Sequence, residues 1–566
     1  MNQDVSDYRL ESLDIGGVPV VQHFLQSLEL QSLLDRYLPP TTRRPELVPS
    51  AVTLGILVTN LLLARQPLYD LANWLANHVP EQLGLTTEQL PFFQDDRFGH
   101  ALDQLYRADR AALLFALVRN AVRVFQIDLK QFHNDTTTVT VSGVYNDQPA
   151  AETLTRAPRI TFGFNKDHRP DLKQLLYSVT ISNDGAVPVH AEIYDGNTSD
   201  TQVHIEAWDF LRELTGRVDF LYVADSKLCT HENMTYIGEQ GGRFLTVLPR
   251  TRNEVAWFED QLQHQEIAWV EVRRITNPRR RRGPDHVYHG VESPQPTREG
   301  YRVLWYRSSQ KQAEDVRRRQ DRLTRARERL SRLRPRGRGG RWRAAATLLE
   351  AAQRVLAGYR VGEWLTVTAV ERTEVTQRQR ERGRPGPQTT YESVEEKYYE
   401  LVVEDNRAAL TAAEKCDGLF PLTTNDKEMS LVEGLAKYKY QPFVEKRHEQ
   451  MKTVFAVAPV WLKNPERVAA LLWLYYVVEL VQALLERELR QQMTAAGRAE
   501  LPLYPEGRAC AKPTTELVFR ALARIRRHRL LNARGEVVRT FHDEVSVVAG
   551  EVLEFLGVNS GAYGLL

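Results

Sequence analysis

The sequence predicts an α/β protein in which a mixed sheet is flanked by helices. Up to about residue 128, apolar side chains recur at i, i+3 and i+4 spacing, which is typical of amphipathic helices. Runs of β-branched and aromatic residues follow, as expected of strands, and they begin at Asp135, Leu175, Val187 and Phe220. Before the fourth run, residues 201–214 have a helical pattern for which Asp200 is the expected N-cap. This order of strands and helices suits a mixed sheet covered by helices.

The 566 residues are too many for one hydrophobic core, so two to four domains are expected. Changes of pattern along the chain predict five segments. They are a helical N-terminal region (1–128), the first part of a sheet-based core (129–250), a basic insertion domain with a helical hairpin (251–400), the second part of the core (401–493) and a helical C-terminal region (494–566).

Three local patterns complete this outline. Residues 376–389 are rich in Gln, Arg, Gly and Pro, which predicts a loop. The segment from Thr515 to Leu531 is expected to be a basic helix. The longest apolar run, Val468 to Val478, is interrupted by Glu479 and is shorter than the roughly 20 residues that span a bilayer. It is therefore interpreted as a buried helix.

Charge is distributed unevenly although the net charge is only +2. Between Val316 and Arg343 there are thirteen arginines and only two acids, Asp321 and Glu328. Such a patch indicates a polyanionic partner, most simply nucleic acid. A solvated arginine-rich helical hairpin is the alternative.

The three cysteines, Cys229, Cys416 and Cys510, are far apart and form no CxxC pair. This spacing argues against a disulfide framework and a zinc site, and it suits a reducing compartment. The first residues show no basic and apolar signal sequence. We therefore expect a cytoplasmic protein associated with the nucleoid.

Three acidic residues are candidates for phosphodiester chemistry. Asp135 opens or lies on the first strand, and Asp225 directly follows the apolar run Phe220-Leu-Tyr-Val-Ala. Glu445 lies seven residues before Lys452, which in a helix is two turns and nearly the same face. Acids at strand ends and on a nearby helix suit divalent cations, and a lysine suits a phosphate. Taken singly, each acid is also compatible with a cap, a turn or a solvated helix face.

The surrounding residues resemble a known family. Tyr438-x2-Gln441-x3-Glu445-x6-Lys452 is similar to the Y-x2-R-x3-E-x6-K signature of bacterial insertion-sequence transposases of the DDE type. Other blocks resemble that family in the expected order between about 90 and 480. They begin at Asp95, Asp135, Gly163, Gly196, Val223 and Asp417.

The resemblance implies a ribonuclease-H-like core with Asp135, Asp225 and Glu445 as catalytic metal ligands for two ions of Mg²⁺ or Mn²⁺. It further implies a DNA transposase that cuts at the ends of an insertion sequence and joins them to target DNA, working as a homodimer on double-stranded DNA with terminal inverted repeats. The interval of 445 − 225 = 220 residues resembles members with a large insertion between the second and third acids. DNA contacts are expected from Tyr438, Gln441, Lys452, Arg447, Arg318 and Arg325.

One position departs from the signature, because Gln441 replaces its arginine and Pro442 follows. Proline suits the first turn of a helix and disfavours helical geometry in the residue before it, so the helix of Glu445 is expected to begin at Pro442. Glutamine lacks the charge for a bidentate phosphate contact, and Gln441→Arg is expected to keep or raise activity. Two alternatives stay open: a metal-dependent nuclease or resolvase of the same fold, and an inactive transposase-derived DNA-binding protein.

Overall fold

The structure is a computed structural model and describes residues 8–40, 47–143, 145, 157–164, 169–199, 202–277, 283–334, 340–454 and 462–564. The chain divides into two compact units. The first comprises Met1–Thr246 and Ala436–Leu566, and the second is Val247–Leu435. The predicted limit at residue 400 lies inside a strand of the second unit.

The first unit begins with a strand and six helices. They are β1 (Arg9–Asp14), α1 (Val18–Ser27), α2 (Leu30–Tyr37), α3 (Ser50–Leu63), α4 (Leu71–Ala76), α5 (Asp95–Arg107) and α6 (Arg110–Phe125). The sheet region then follows as β2 (Gln131–Val141), β3 (Lys173–Ser182), β4 (Pro188–Tyr194), α7 (Val203–Thr215), β5 (Leu221–Ala224), α8 (His231–Glu239) and β6 (Arg243–Val247).

Within its described residues, the second unit contains two sheets and five helices. Its elements are α9 (Asn253–His264), β7 (Val270–Ile275), β8 (His286–Glu292), β9 (Arg302–Ser308), α10 (Ser309–Ser331), α11 (Ala345–Tyr359), β10 (Leu365–Gln379), β11 (Tyr391–Asp405), α12 (Arg407–Lys415), β12 (Leu419–Thr424) and α13 (Leu431–Tyr438), whose last turn belongs to the first unit. The first unit resumes with α14 (Pro442–Glu449), α15 (Pro465–Ala495), α16 (Thr515–Leu522), β13 (Arg526–Leu531), β14 (Val537–His542) and α17 (Val547–Phe555).

The main sheet of the first unit is mixed, as predicted. Its order is β4-β3-β2-β5-β6, in which β2 pairs antiparallel with β3 and parallel with β5. The turn between β3 and β4 lies at Asn183-Asp184-Gly185, a sequence typical of a hairpin turn, and Gly185 and Ala186 both have positive φ. The expected N-cap Asp200 lies outside the described residues, and α7 begins at Val203.

The strands β1 and β13 correct two helical predictions. β1 pairs with β13, and β13 pairs with β14, so the first and last segments of the chain share a three-stranded sheet. The predicted helix from Thr515 therefore ends at Leu522, and Arg526–Leu531 is a strand. The spacing of apolar residues could not reveal the pairing of β1 with β13, because these two strands lie about 500 residues apart in the sequence.

The helix α15 is the buried helix predicted from the apolar run. Among single helices in the described ranges it is the one long and apolar enough to cross a membrane, but 94% of its most apolar window is buried inside the protein. Asn464 caps it by accepting a hydrogen bond from Glu466 N, and Pro465 occupies the first turn. It packs against α3, α5 and β4 and so supports the main sheet.

In the second unit, β12, β9, β8 and β7 form an antiparallel sheet, and β10 and β11 form a separate two-stranded ribbon. The arginine-rich segment forms α10, which packs on α11 through Leu323, Ala326 and Leu330, as predicted for a helical hairpin. The predicted loop at 376–389 is partly wrong, because residues 376–379 continue β10. Its polar residues form a strand because each is paired with β11 across the ribbon.

Candidate active site

The main sheet brings Asp135 and Asp225 to adjacent strands. β2 and β5 are parallel, and their last paired residues are Asn134 and Ala224, so the two aspartates are the next residue on each strand. Asp225 lies just past the end of β5, where its Oδ1 accepts a hydrogen bond from Lys227 N at 2.9 Å. Asp135 lies within β2 with 18% of its side chain exposed. Strand pairing therefore joins two acids that are 90 residues apart in the sequence.

The helix α14 carries Glu445 over this part of the sheet. Its inner face is buried at positions three or four residues apart, which are Gln441, Val444, Arg447, His448 and Met451. Glu445 lies beside that face and is exposed at its surface. Desolvation of its carboxylate raises its pKa, and the negative charges of Asp135 and Asp225 raise it further. Glu445 is therefore close enough to both aspartates for their charges to affect its carboxylate.

The donor chemistry of these acids fits a hard divalent cation. Three carboxylates supply oxygen ligands, and their mutual repulsion is what a cation relieves. As placed, however, no group of three His, Cys, Asp or Glu side chains in the described ranges forms a ready metal cluster. The three acids therefore lie in one region of the sheet, but as placed they do not converge on a single metal position.

His448 is a site residue that the sequence analysis missed. Its Nε2 lies 3.7 Å from Asp135 Oδ2, and only 5% of the residue is exposed. Its ring also packs edge-on against Tyr177 of β3 at 6.5 Å between centroids. The available signal was its position three residues after Glu445, which places both on adjacent parts of one helix face.

Tyr438 lies near all three acids. Burial raises its pKa to about 12, and the charges of Glu445, Asp225 and Asp135 add to this effect in that order. Its phenol therefore stays protonated at neutral pH and is available as a hydrogen-bond donor.

Gln441 faces the protein interior, which corrects the expected DNA contact. Its Nε2 donates to Asn134 O at 2.8 Å, and its Oε1 accepts from His133 Nδ1 at 2.9 Å. Burial lowers the pKa of His133 to about 4, so the imidazole is neutral, and its Nε2 accepts from Gln131 Nε2 at 2.7 Å. Gln441 therefore ties the start of α14 to the residue that precedes Asp135.

These bonds also explain the backbone of Gln441. The helix begins at Pro442, as predicted, yet Gln441 itself has helical φ and ψ of −51° and −39°. The two buried hydrogen bonds of its side chain offset the preference against helical geometry before proline.

Arg447 is likewise internal, and its expected contact with DNA stays a prediction. It is 4% exposed, its Nε donates to Ala186 O at 3.1 Å, and its Nη1 donates to Gln450 Oε1 at 3.0 Å. The sequence could not show this, because the partner Ala186 belongs to the distant turn between β3 and β4. Arg447 fastens α14 to that turn.

Lys452 does not continue the regular face of α14. The helix passes into a π-helical turn at Gln450–Val454, whose wider winding rotates Lys452 relative to Glu445. The expected two-turn alignment of these residues is therefore altered. π-helical turns are frequent at functional sites.

The remaining predicted DNA-binding residues lie on α10 of the second unit. The side chain of Arg318 is 72% exposed, and its Nη2 lies 3.8 Å from Glu314 Oε2. Arg325 is exposed on the same helix. Their contact with DNA stays a prediction.

Comparison with known proteins gives two kinds of similarity. The family model of a domain of unknown function, DUF4277, matches residues 10–119, which is less than half of the chain. No curated protein matches the sequence.

Among solved structures, the chain is similar to a piggyBac transposase in a synaptic complex with hairpin DNA, with 8% identity, coverage of 90% of this chain and 78% of that chain, and a TM-score of 0.36. It is also similar to the Mos1 transposase paired-end complex with a left transposon end, with 10% identity, coverage of 36% and 60%, and a TM-score of 0.14. Both TM-scores are too low to define the fold or activity of this chain.

Proposed function

We propose that this chain is a DDE transposase with a ribonuclease-H-like core, which cleaves DNA at insertion-sequence ends and transfers the strands into target DNA. The observation that carries the proposal is the placement of Asp135 and Asp225 at neighbouring positions on two paired segments of the main sheet, with Glu445 on the helix close enough for both charges to raise its pKa. Three carboxylates from two adjacent strands and a covering helix suit phosphoryl transfer, which needs no nucleophilic side chain.

Asp135, Asp225 and Glu445 would hold the divalent cations, Mg²⁺ or Mn²⁺. The chemistry that such ions supply when bound is activation of a water or 3′-hydroxyl and stabilisation of the leaving oxygen.

The residues around the acids hold them in place. Gln441 and Arg447 attach the two ends of α14 to β2 and to the turn between β3 and β4, and His448 contacts Asp135. Tyr438 donates to a substrate oxygen near the acids, and Lys452 binds a DNA phosphate.

The DNA partner in this proposal is double-stranded and is held by more than the catalytic region. The arginine-rich helix α10 presents Arg318 and Arg325 to the sugar–phosphate backbone. Two DNA ends must be brought together before joining, which favours a homodimer in the synaptic complex and a place at the nucleoid.

The test is cleavage of a duplex that carries the DNA flanking the gene, with purified protein and Mg²⁺. Asp225→Asn is expected to abolish nicking while duplex binding stays nearly unchanged, because the carboxylate acts on cations rather than on the DNA. Asp260→Asn, an exposed residue on α9, is the matched control and is expected to cleave normally. Cleavage by Asp225→Asn at the wild-type rate refutes the proposal.

The products separate the candidate activities. A transposase joins 3′-hydroxyl ends to a second DNA molecule, whereas a nuclease or resolvase of the same fold gives no such strand-transfer product. A chain that binds the duplex and leaves it intact in Mg²⁺ and Mn²⁺ is the inactive DNA-binding protein.

A further inference from the structure

The ribbon formed by β10 and β11 is unusually long for two strands. It is paired in continuous antiparallel register over 15 residues of each strand, from Leu365 opposite Asp405 to Gln379 opposite Tyr391. At roughly 3.4 Å per residue it extends for about 50 Å. Within the described part of the chain no third strand pairs with either edge, and the contact along β11 is a single bridge in which Tyr399 N donates to Trp342 O at 2.8 Å. Arg341 and Arg343 flank that bridge and pair with Glu374 and Glu396 of the ribbon.

Only the base of the ribbon is held by a hydrophobic core. Leu365, Val367, Leu401 and Val403 belong to the apolar cluster that includes α10 and α11. Beyond this cluster no ribbon residue is buried, and Val375 and Tyr391 are 58% and 51% exposed. A two-stranded hairpin without a core is marginally stable in water, so this outer half gains stability from any surface that covers it.

Charge along the ribbon changes from paired to unpaired towards its tip. Near the middle, Lys397 pairs with Glu371 and Arg372 pairs with Glu400. The tip from Arg378 to Arg384 contains four arginines and one acid, Glu381. Arg380 Nε lies 3.9 Å from Glu392 Oε2, and Arg378 lies opposite Glu392 in the strand register. Arg378, Arg382 and Arg384 are exposed, and none of them has a carboxylate oxygen of a described residue within 4.0 Å.

We propose that the tip of this ribbon inserts into the major groove of duplex DNA and that its three arginines bind phosphates on the groove walls. The major groove, about 12 Å wide, admits a two-stranded ribbon. Guanidinium groups match phosphate oxygens in geometry and charge. The inference rests on the proposed function only for the class of substrate.

The charges along the strands favour DNA over a second protein strand as the occupant. Charged side chains on an exposed strand discourage pairing with another strand edge-to-edge. The middle of the ribbon carries such residues on both strands, including Glu371, Arg372, Lys397 and Glu400. The unpaired positive charge lies only at the tip.

The first test removes the tip charge while keeping the ribbon. The triple variant Arg378→Gln, Arg382→Gln and Arg384→Gln is compared with a control triple in which exposed arginines already paired with acids are replaced. The control arginines are Arg217, Arg354 and Arg508. Both triples change the net charge by the same amount.

The measurement is the affinity for the flanking-sequence duplex at several salt concentrations. Each phosphate contact contributes about 0.9 to the slope of log K against log salt, so losing three contacts lowers the slope by about 2 to 3. The control triple is expected to keep the wild-type slope. Equal slopes for the two triples overturn the proposal.

The second test shortens the ribbon. Residues 376–394 are replaced by Asn-Gly, which joins Val375 to Glu395, two residues that face each other across the strands. The base and its core stay intact. Dimethyl sulfate, which modifies guanine N7 in the major groove, is then expected to reach guanines that the wild-type protein protects.

If the shortened variant protects the same guanines as the wild-type protein, the proposal is overturned. It is also overturned if shortening the ribbon reduces self-association and leaves the affinity for DNA unchanged. The outcome is independent of catalysis. A protein that fails to cleave but shows the altered salt slope loses the proposed function and keeps the ribbon contact. If the arginine triple cleaves normally and shows an unaltered salt slope, the proposed function stands and the ribbon contact is refuted.

Discussion

Glu479 is expected to destabilise the folded protein at neutral pH, and Glu479→Gln is expected to remove that effect. The residue lies in the middle of α15 with 0% exposure, and neither carboxylate oxygen has a hydrogen-bond partner among the described residues. Burial raises its pKa from 4.5 to about 8, against the opposing effect of the Arg447 charge. The other titratable groups that face it are Tyr177 and Tyr476.

The direction follows from proton binding. A carboxyl group with a higher pKa in the folded state than in the unfolded state makes the folded state bind more protons between those two values. Its contribution to stability is therefore fully present below about pH 4.5 and is lost as the pH rises to about 8. The loss is about 1 kcal/mol near pH 5 and about 3 kcal/mol near pH 7 for these two pKa values.

Glutamine has nearly the same shape and does not ionise. The gain in free energy of unfolding from Glu479→Gln is therefore expected to be about 2 kcal/mol larger near pH 7 than near pH 5. Urea unfolding followed by far-ultraviolet circular dichroism at both pH values measures it. The control is Glu213→Gln, an exposed acid on α7, for which no such pH-dependent gain is expected. A gain of equal size at the two pH values refutes the reasoning.

Two further substitutions test buried polar contacts. Gln441→Arg is now expected to lower stability by several kcal/mol and to lower activity with it, because a longer charged side chain enters a site that is 4% exposed and beside neutral His133. Urea midpoints and nicking rates measure both, and a variant as stable as wild type with higher activity contradicts the assignment. Asp417→Asn breaks the bidentate contact with Arg319, both bonds being 2.7 Å, and is expected to cost about 3 kcal/mol. The reason is that the buried guanidinium loses its buried counter-charge and keeps only the exposed Glu414, 4.0 Å away, in ion-pair distance. The exposed pair of Asp405 and Arg327 supplies the control Asp405→Asn, expected to change stability by less than about 1 kcal/mol, and equal effects of the two substitutions count against the reasoning.

Local patterns predicted much of the main sheet correctly. β-branched runs marked β2 to β5, and the turn at Asn183-Asp184-Gly185 marked the hairpin between β3 and β4. Pro442 marked the start of α14, since proline is compatible with the first helical turn. These features depend on residues within a few positions of one another, so the sequence contains their cause.

The same patterns were misleading where a distant partner decides the structure. Arg526–Leu531 has a basic composition that suits a helix, yet it is a strand because β1 and β14 pair with it. The polar end of β10 looks like a loop and is a strand because β11 lies opposite. In both cases hydrogen bonds across the sheet outweigh the local preference.

The inward contacts of Gln441 and Arg447 illustrate the same limit at the candidate site. From the sequence, a basic residue such as Arg447 beside an acidic motif suggests a phosphate contact. Only the structure shows that its side chain is buried and donates to a backbone carbonyl. His448 is the converse case, because nothing in its neighbourhood along the chain links it to Asp135.

By itself the sequence determined that Asp135 lies on a strand, that Asp225 directly follows one, that a helix carries Glu445 and that α15 is buried, because periodicity and proline geometry act over a few residues. The tertiary structure alone decided that Asp135 and Asp225 become neighbours, that Glu445 senses both charges and that α14 is held by Gln441 and Arg447. The physical reason is that these contacts join residues separated by 90 to about 300 positions, and the energy that selects them comes from strand pairing and burial of the whole core.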